Sequence, residues 1–442
     1  MINRLIRFFN FMLIMCAVYA QNPEYSQDPE ILTSQGEAKM NTGAYMKADS
    51  LFKYALEIDK TFAPAMYQLA QLNLRLGDME KAQKYMKDAV EVDYDQYKEM
   101  YDKLNEINTL MNDGGRAIKG GRFDEAFQAY GSVLEKFPYF AEAAYSMGLA
   151  KLKEKNFDEA VQYFHQTIQL NPFHQNAQDA IANVSKNIFN TGNNAYRRGD
   201  LDGALSSYHR VLEIDKNFYQ AYYQIGVIEA KMRNLSSSIE YYQNALEIKP
   251  EFYKCWFALG LTETKVGNPE GAHIAFTKVI EINPNYVKAY SSIGELYIDS
   301  KEYPKAIHTL ETAVEVDSTY AKSYKLLGIV YSELNQFEDA IISLEKSVTL
   351  KPKDAISWFR LAHAYNQTGN CEAAKKCSHE ATDRKKNFGG GWYELGIAEW
   401  CTGNGNKTAA LNSLERSRND RDWRKMAEYE IDKIKNPHKY IE

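Results

Sequence analysis

Small residues recur on a 34-residue spacing through the second half of the chain, and no other feature constrains the fold as much. Gly226, Gly260, Gly294, Gly328 and Gly396 fall on it, with Ala362 in the one gap. Ala272, Ala306, Ala340 and Ala374 form a second row. Tyr222, Trp256, Tyr290, Tyr324, Trp358 and Trp392 form a third. A period near 34 describes one helix-turn-helix unit stacked many times. Each unit leaves an apolar face uncovered, so stacking is what buries a core. The expected class is therefore all-α. One such array absorbs the 442 residues, and the length does not require three globular domains.

The repeats carry a family resemblance. Trp256, Leu259 and Gly260, followed by Ala272, Phe276, Val279 and Pro284, meet a W-x2-L-G, A-x3-F and terminal Pro pattern. Tyr290, Ile293, Gly294, Tyr297, Ala306, Leu310 and Ala313 repeat it. This resembles the tetratricopeptide repeat (TPR). The resemblance implies an α-solenoid, a right-handed superhelix of about 23 helices in helix-turn-helix pairs. Gly at the eighth position and Ala at the twentieth let paired helices cross closely, where larger side chains would force them apart. Pro after the second helix ends it.

Walking the register outward gives about eleven units over 29–420, starting at Pro29, Ala63, Ile107, Ala141, Ser185, Tyr219, Tyr253, Val287, Ala321, Ala355 and Gly389. The third and fifth start ten residues late. Residues 63–140 and 141–218 match in register: Tyr67 with Tyr145, Gly114 with Gly192, Tyr130 with Tyr208. Duplication of a two-repeat block accounts for this. The extra residues keep a helical pattern (Tyr97, Met100, Leu104, Ile107; Ala177, Ile181, Val184, Ile188), so helix A of the third and fifth units should be long. That should disturb the regular stacking there.

Both ends depart from the repeat. Arg4 and Arg7 precede an apolar run from Phe8 to Ala20. A positive start, a short apolar middle and a small residue before the cut describe a secretory signal peptide over 1–20. The run is shorter than the roughly 20 residues that span a bilayer. Met15, Ile14 and Leu13 before Cys16 do not suit a lipoprotein site. Cleavage after Ala20 would leave Gln21 first, and a loose polar segment over 21–28. The expected location is exported, periplasmic or secreted. Residues 421–442 read as a capping helix and tail, with Trp423, Met426, Ala427, Ile431 and Ile434 as its apolar face. A solenoid needs such a cap to cover its last repeat.

Net charge is −6, and losing Arg4 and Arg7 would make it −8. Acidic and basic residues are interspersed, which gives no nucleic-acid surface. No other segment is apolar enough for a membrane span. Cys255 stands alone; Cys371, Cys377 and Cys401 cluster in the last two units. Cys371 opens helix B of the tenth unit and Cys401 closes helix A of the eleventh. Antiparallel packing would bring them together as a disulfide; three free thiols are the other reading. No nucleophile-base-acid set, phosphate loop or zinc spacing occurs, so neither cofactor nor metal is expected. Almost every residue from Pro29 to Asp420 is claimed by a repeat, which leaves no room for a catalytic domain.

The resemblance implies that function sits in a concave groove lined by helix A, whose second, fifth, ninth and twelfth positions face it. The fifth position carries Tyr145, Tyr223, Phe257, Phe359 and Tyr393; the ninth carries Leu149, Val227 and Leu261. An apolar groove of this kind marks an interaction surface, though part of each ring should pack on its neighbours. Tyr223, Val227, Phe257 and Leu261 are adjacent in two units and form the expected centre. Neither a Lys/Asn carboxylate clamp nor an Asn ladder is complete. The expected function is a non-enzymatic scaffold for protein or peptide partners. A carrier of a lipid or other small apolar ligand in the same groove is the alternative.

Overall fold

The structure, a computed structural model, describes residues 26–402 and 406–440. The expected signal peptide lies outside them. Among the described residues there are 23 α-helices, one 3-10 turn at Pro437–Lys439 and no strand. The chain forms two compact units, divided between Lys216 and Asn217.

The first unit contains α1 (Pro29–Asn41), α2 (Tyr45–Ile58), α3 (Ala63–Arg75), α4 (Met79–Val92), α5 (Tyr94–Lys119), α6 (Phe123–Lys136), α7 (Ala141–Lys153), α8 (Phe157–Leu170), α9 (Gln175–Arg198) and α10 (Leu201–Ile214). The second contains α11 (Tyr219–Lys231), α12 (Leu235–Ile248), α13 (Tyr253–Val266), α14 (Pro269–Ile282), α15 (Val287–Asp299), α16 (Tyr303–Val316), α17 (Ala321–Glu333), α18 (Phe337–Leu350), α19 (Ala355–Gln367), α20 (Cys371–Arg384), α21 (Gly389–Cys401), α22 (Lys407–Arg418) and α23 (Arg424–Lys435). Odd-numbered helices up to α21 are the A helices, and each packs most heavily on the even-numbered helix that follows it.

One contact explains the eighth-position glycines. At Gly148 an added Cβ would sit 2.5 Å from the Phe164 ring; at Gly260 it would sit 2.6 Å from Phe276. Tyr130, Tyr208 and Tyr242 occupy the same place against Gly114, Gly192 and Gly226. A large side chain sixteen residues on fills the space that the glycine leaves. The exceptions obey the same rule. Where Ala362 replaces glycine, the partner position holds the small Ser378, and both are fully buried. Ala70 is likewise matched by the flexible Met86, again fully buried.

The turn from A to B also repeats. In each of the first ten repeats one residue takes a left-handed φ, and the next N–H bonds back to a carbonyl five residues earlier, as in Asn156 to Lys151 at 3.0 Å and Asn268 to Glu263 at 2.9 Å. This is the Schellman pattern, which satisfies the last helical carbonyls. Glycine holds the left-handed place at Gly43, Gly77, Gly121, Gly199, Gly267 and Gly369, but Lys155, Arg233, Lys301 and Asn335 hold it elsewhere. A side chain there costs about 1–2 kcal/mol through Cβ crowding. Lys155→Gly, Arg233→Gly and Lys301→Gly should each stabilise by about 0.5–1 kcal/mol, after the greater freedom of unfolded glycine is subtracted. Asn335→Gly should give less, because Asn tolerates this conformation. Urea midpoints that fall in the lysine and arginine variants would refute the argument.

In the first unit, α5 has 26 residues and α9 has 24, against 13 or 14 in most other helices. Tyr97 and Leu104 in the first half of α5 are buried, as are Ala177 and Ile181 in α9. Repeats here do not touch only their sequence neighbours. The Tyr139 hydroxyl, in the turn before α7, donates to Gln71 on α3 at 3.1 Å, and Arg75 lies 4.9 Å from the Tyr139 ring centre. Asn171, after α8, donates to the Leu76 carbonyl at 3.5 Å. The Asn171 bond thus joins the fourth repeat to the second across the one that carries the long α5, which corrects a strictly nearest-neighbour picture of stacking. Ahead of α1, Gln27 donates to the Tyr54 hydroxyl at 2.8 Å and Asp28 caps the helix. The 26–28 part of the segment expected to be loose is therefore tied to the first repeat.

Candidate functional site

The fifth-position aromatics on the A helices have a shared environment. Tyr223 packs on Tyr242 of α12, with ring centres 5.9 Å apart, and edge-on against Phe252 at 5.0 Å. Phe257 does the same with Phe276 at 5.5 Å and Tyr286 at 5.1 Å. In the first unit Tyr145 lies on Phe164 at 5.7 Å and on the His174 ring at 4.7 Å. These rings are half-buried, each wedged between its own B helix and the residue that closes the repeat. Leu149 and Val227 are half-buried as well, packed on the cores beside them. Of the four residues expected to centre the groove, only Leu261 stands well out, at 41% exposure. Most of the ring area at these positions is engaged in packing.

The last two repeats are arranged differently. Phe359 on α19 is only 7% exposed; it meets Phe388 edge-on at 5.1 Å and Trp423 at 5.5 Å. Tyr393 on α21 packs on the same Trp423 at 5.3 Å. Burial, and next the charges of Glu430 and Glu394, push the Tyr393 phenol up to about 12, so it stays a neutral donor. Trp423 was expected on the apolar face of the cap. It instead precedes α23, which begins at Arg424, and joins the A helices of two repeats. Ala427, Ile431 and Ile434 form the buried face of α23, while Met426 is 48% exposed.

Between α19, α21 and α23 lies a cavity of about 410 Å³. Phe359, Tyr393 and Trp423 make its aromatic wall, with Ile397, Trp400 and Met426 alongside. Trp400 is 42% exposed. Its polar wall is built on Glu394, a carboxylate only 2% exposed. One oxygen of Glu394 pairs with His363 Nδ1 at 2.9 Å, and the other accepts from Asn366 at 2.7 Å. A buried carboxylate is tolerated only when its lone pairs are occupied in this way. Arg360, Gln367, Glu430 and Lys433 complete the polar lining. Cys401 is on the wall too, and it is bonded to Cys371 with Cα atoms 5.8 Å apart. Cys255 and Cys377 are free and buried, and burial raises both thiols.

The structure thus brings two of the expected residues, Phe359 and Tyr393, into one concave site, and leaves Tyr145, Leu149, Tyr223, Val227, Phe257 and Leu261 outside it. Trp400 occupies the twelfth position of its A helix, a groove-facing place, so repeat register could have singled it out. Trp423 and the Glu394 cluster carried no such signal. Among the described residues there is no group of three His, Cys, Asp or Glu side chains able to hold a metal, and no helix long and apolar enough to cross a membrane.

Two family models, both described as Tetratricopeptide repeat, match this chain. One covers residues 40–104 and 117–184; the other covers five consecutive repeats, 219–252, 253–286, 287–320, 321–354 and 355–388. Together they take in more than half of the sequence, and the chain belongs to the tetratricopeptide-repeat family. It is similar to DnaJ homolog subfamily C member 3 of Gallus gallus, 25% identical over 156 residues that make up 34% of this chain and 31% of that one. Similarity to DnaJ homolog subfamily C member 7 of Homo sapiens is 26% over 213 residues, 46% of this chain and 42% of the relative. The chain spans less than half the length of these curated relatives. Among solved structures it resembles the APC/C hetero-tetramer Cut9-Hcn1, at 13% identity and a TM-score of 0.45, over 95% of this chain and 98% of that one. Proteins of this family act in protein binding and scaffolding.

Proposed function

We propose that this chain is an exported, non-enzymatic scaffold that holds a protein partner by a peptide segment laid along the A helices of the second unit and anchored in the cavity between α19, α21 and α23. The observation that carries this reading is the cavity itself: an aromatic wall beside hydrogen-bonding groups, with Trp400 and Met426 exposed at 42% and 48%. Exposed Trp and adaptable Met are the residues from which binding hot spots are built. The polar wall suits backbone amides better than an acyl chain, which favours a peptide over the lipid alternative. Export is supported by the Arg4, Arg7 and apolar 8–20 pattern, and by the Cys371–Cys401 bond, since disulfides persist in oxidising compartments.

The test is affinity capture from the native envelope or secreted fraction with the wild-type chain and with Trp400→Ala combined with Met426→Ala. Both residues are surface-exposed, so helical content should be unchanged. Recovery of a specific partner should fall at least about tenfold, as loss of a hot-spot pair does. Equal recovery by the variant sinks the anchor. Met1 rather than Gln21 at the N-terminus of protein from its native host sinks the export reading.

A further inference from the structure

The cavity walls carry two carboxylates and two cations, and one of the cations is left out of the pairing. Glu394 is saturated by His363 and Asn366. Glu430 has Lys433 at 3.6 Å. On the neighbouring A helix, Lys325 is taken by Asp354 at 3.3 Å. Arg360 has no carboxylate within ion-pair reach among the described residues. Its Nε is buried with no acceptor, and its guanidinium carbon lies 5.7 Å from the centre of the Phe359 ring. An arginine held against an aromatic wall with donors unspent is a fork ready for a planar anion, and a carboxylate meets it with two parallel hydrogen bonds.

We infer that the cavity takes a peptide segment in which a glutamate or aspartate side chain sits beside a large apolar one, the carboxylate on Arg360 and the apolar group on Phe359, Tyr393, Trp423 and Trp400. The inference rests on the peptide-binding reading above and adds the chemistry of the bound segment. The cavity volume of about 410 Å³ accommodates side chains of that size. The remaining polar groups, Gln367 and the Tyr393 hydroxyl among them, are left to meet the backbone of the segment.

The test uses the full-length oxidised protein and two sets of fluorescein-labelled heptapeptides with blocked ends. One set has Glu at the centre followed by Phe, Leu or Trp; the other differs only in having Gln at that place. For the wild-type chain, at least one Glu peptide should bind about tenfold or more tightly than its Gln partner, the advantage expected of a charge-assisted pair. Arg360→Gln should abolish that advantage, and Arg360→Lys should restore only part of it. Trp400→Ala should weaken both peptides by a similar factor. Raised salt should narrow the gap between Glu and Gln peptides. If the two sets bind alike and both depend on Trp400, the peptide site stands and the carboxylate assignment is overturned. That assignment is overturned as well if Arg360→Gln keeps the Glu preference while circular dichroism shows it folded. If no peptide binds but decanoate does, the peptide reading falls with the inference.

Discussion

Gly260→Leu should cost about 3 kcal/mol, at the upper end for overpacking, and the damage should be greatest in the repeat that holds it. Gly260 has ordinary helical backbone, so the cost is steric. Even a Cβ would stand 2.6, 2.7 and 2.9 Å from three carbons of the Phe276 ring, and that ring is itself 1% exposed with nowhere to go. A leucine must push α13 off α14. Because repeats gain stability from their neighbours, amide exchange should accelerate in α13 and α14 first, next in α12 and α15, and least in α20 and α21. Uniform loss of protection across the second unit would refute this. The chain also contains its own suppressor design. Ala70 lies with Met86 at the equivalent crossing, both fully buried. Gly260→Ala with Phe276→Met should therefore come within about 1 kcal/mol of wild type: alanine adds helix propensity, and methionine is a tolerated substitute of similar volume. Failure of that pair, with Gly260→Leu behaving as expected, would mean that the crossing distance is set elsewhere.

That glycine row is also where sequence and structure agree most closely, for a definable reason. The crossing of two helices sixteen residues apart is a local event, and its steric rule is written into both residues. Ala362 looks like a lapse in the pattern until Ser378 is seen opposite it. What depends on residues far apart was less legible. Nothing in the spacing of Gln71 and Tyr139 announces their hydrogen bond, because the geometry of the long α5 decides it. The left-handed turn was readable where glycine holds it and hidden where Lys155, Arg233 or Lys301 does. At the site, register places Phe359, Tyr393 and Trp400 on a groove face. It cannot say that Trp423, outside the repeats, will turn in between two of those rings. Nor could it show that the Tyr223 and Phe257 rings are largely engaged by Tyr242, Phe252, Phe276 and Tyr286. Apolar groove positions look alike in sequence, whether their area is open or already covered.

The second large effect should come from removing the Cys371–Cys401 bond. The two residues are 30 apart in sequence. Closing such a loop stabilises by about 3–4 kcal/mol in the chain-entropy treatment. The loop contains all of α20, and the bond fastens its start to the end of α21, the helix that carries Tyr393, Glu394 and Trp400. Among the described residues only the single helix α23 packs beyond α22, so the bond acts where few neighbours oppose local opening. The two buried thiols make the effect measurable without reductant. Cys377 lies on α20, and burial, with help from the charges of Glu345 and Glu380, pushes its thiol up to about 12. Cys255 lies on α13, where burial alone raises it and its thiol donates to the Tyr242 carbonyl at 3.5 Å. Neither should react with iodoacetamide until its repeat opens, since the thiolate is the nucleophile. In Cys371→Ser with Cys401→Ser, alkylation of Cys377 should quicken about a hundredfold, the equivalent of about 3 kcal/mol of lost local stability. Cys255, several repeats away, should react at its wild-type rate. Unchanged labelling of Cys377 would mean that the bond, although formed, constrains nothing that packing does not already hold. Equal acceleration at both cysteines would mean that the second unit opens as a whole, and the repeat-by-repeat picture behind both predictions would have to be given up.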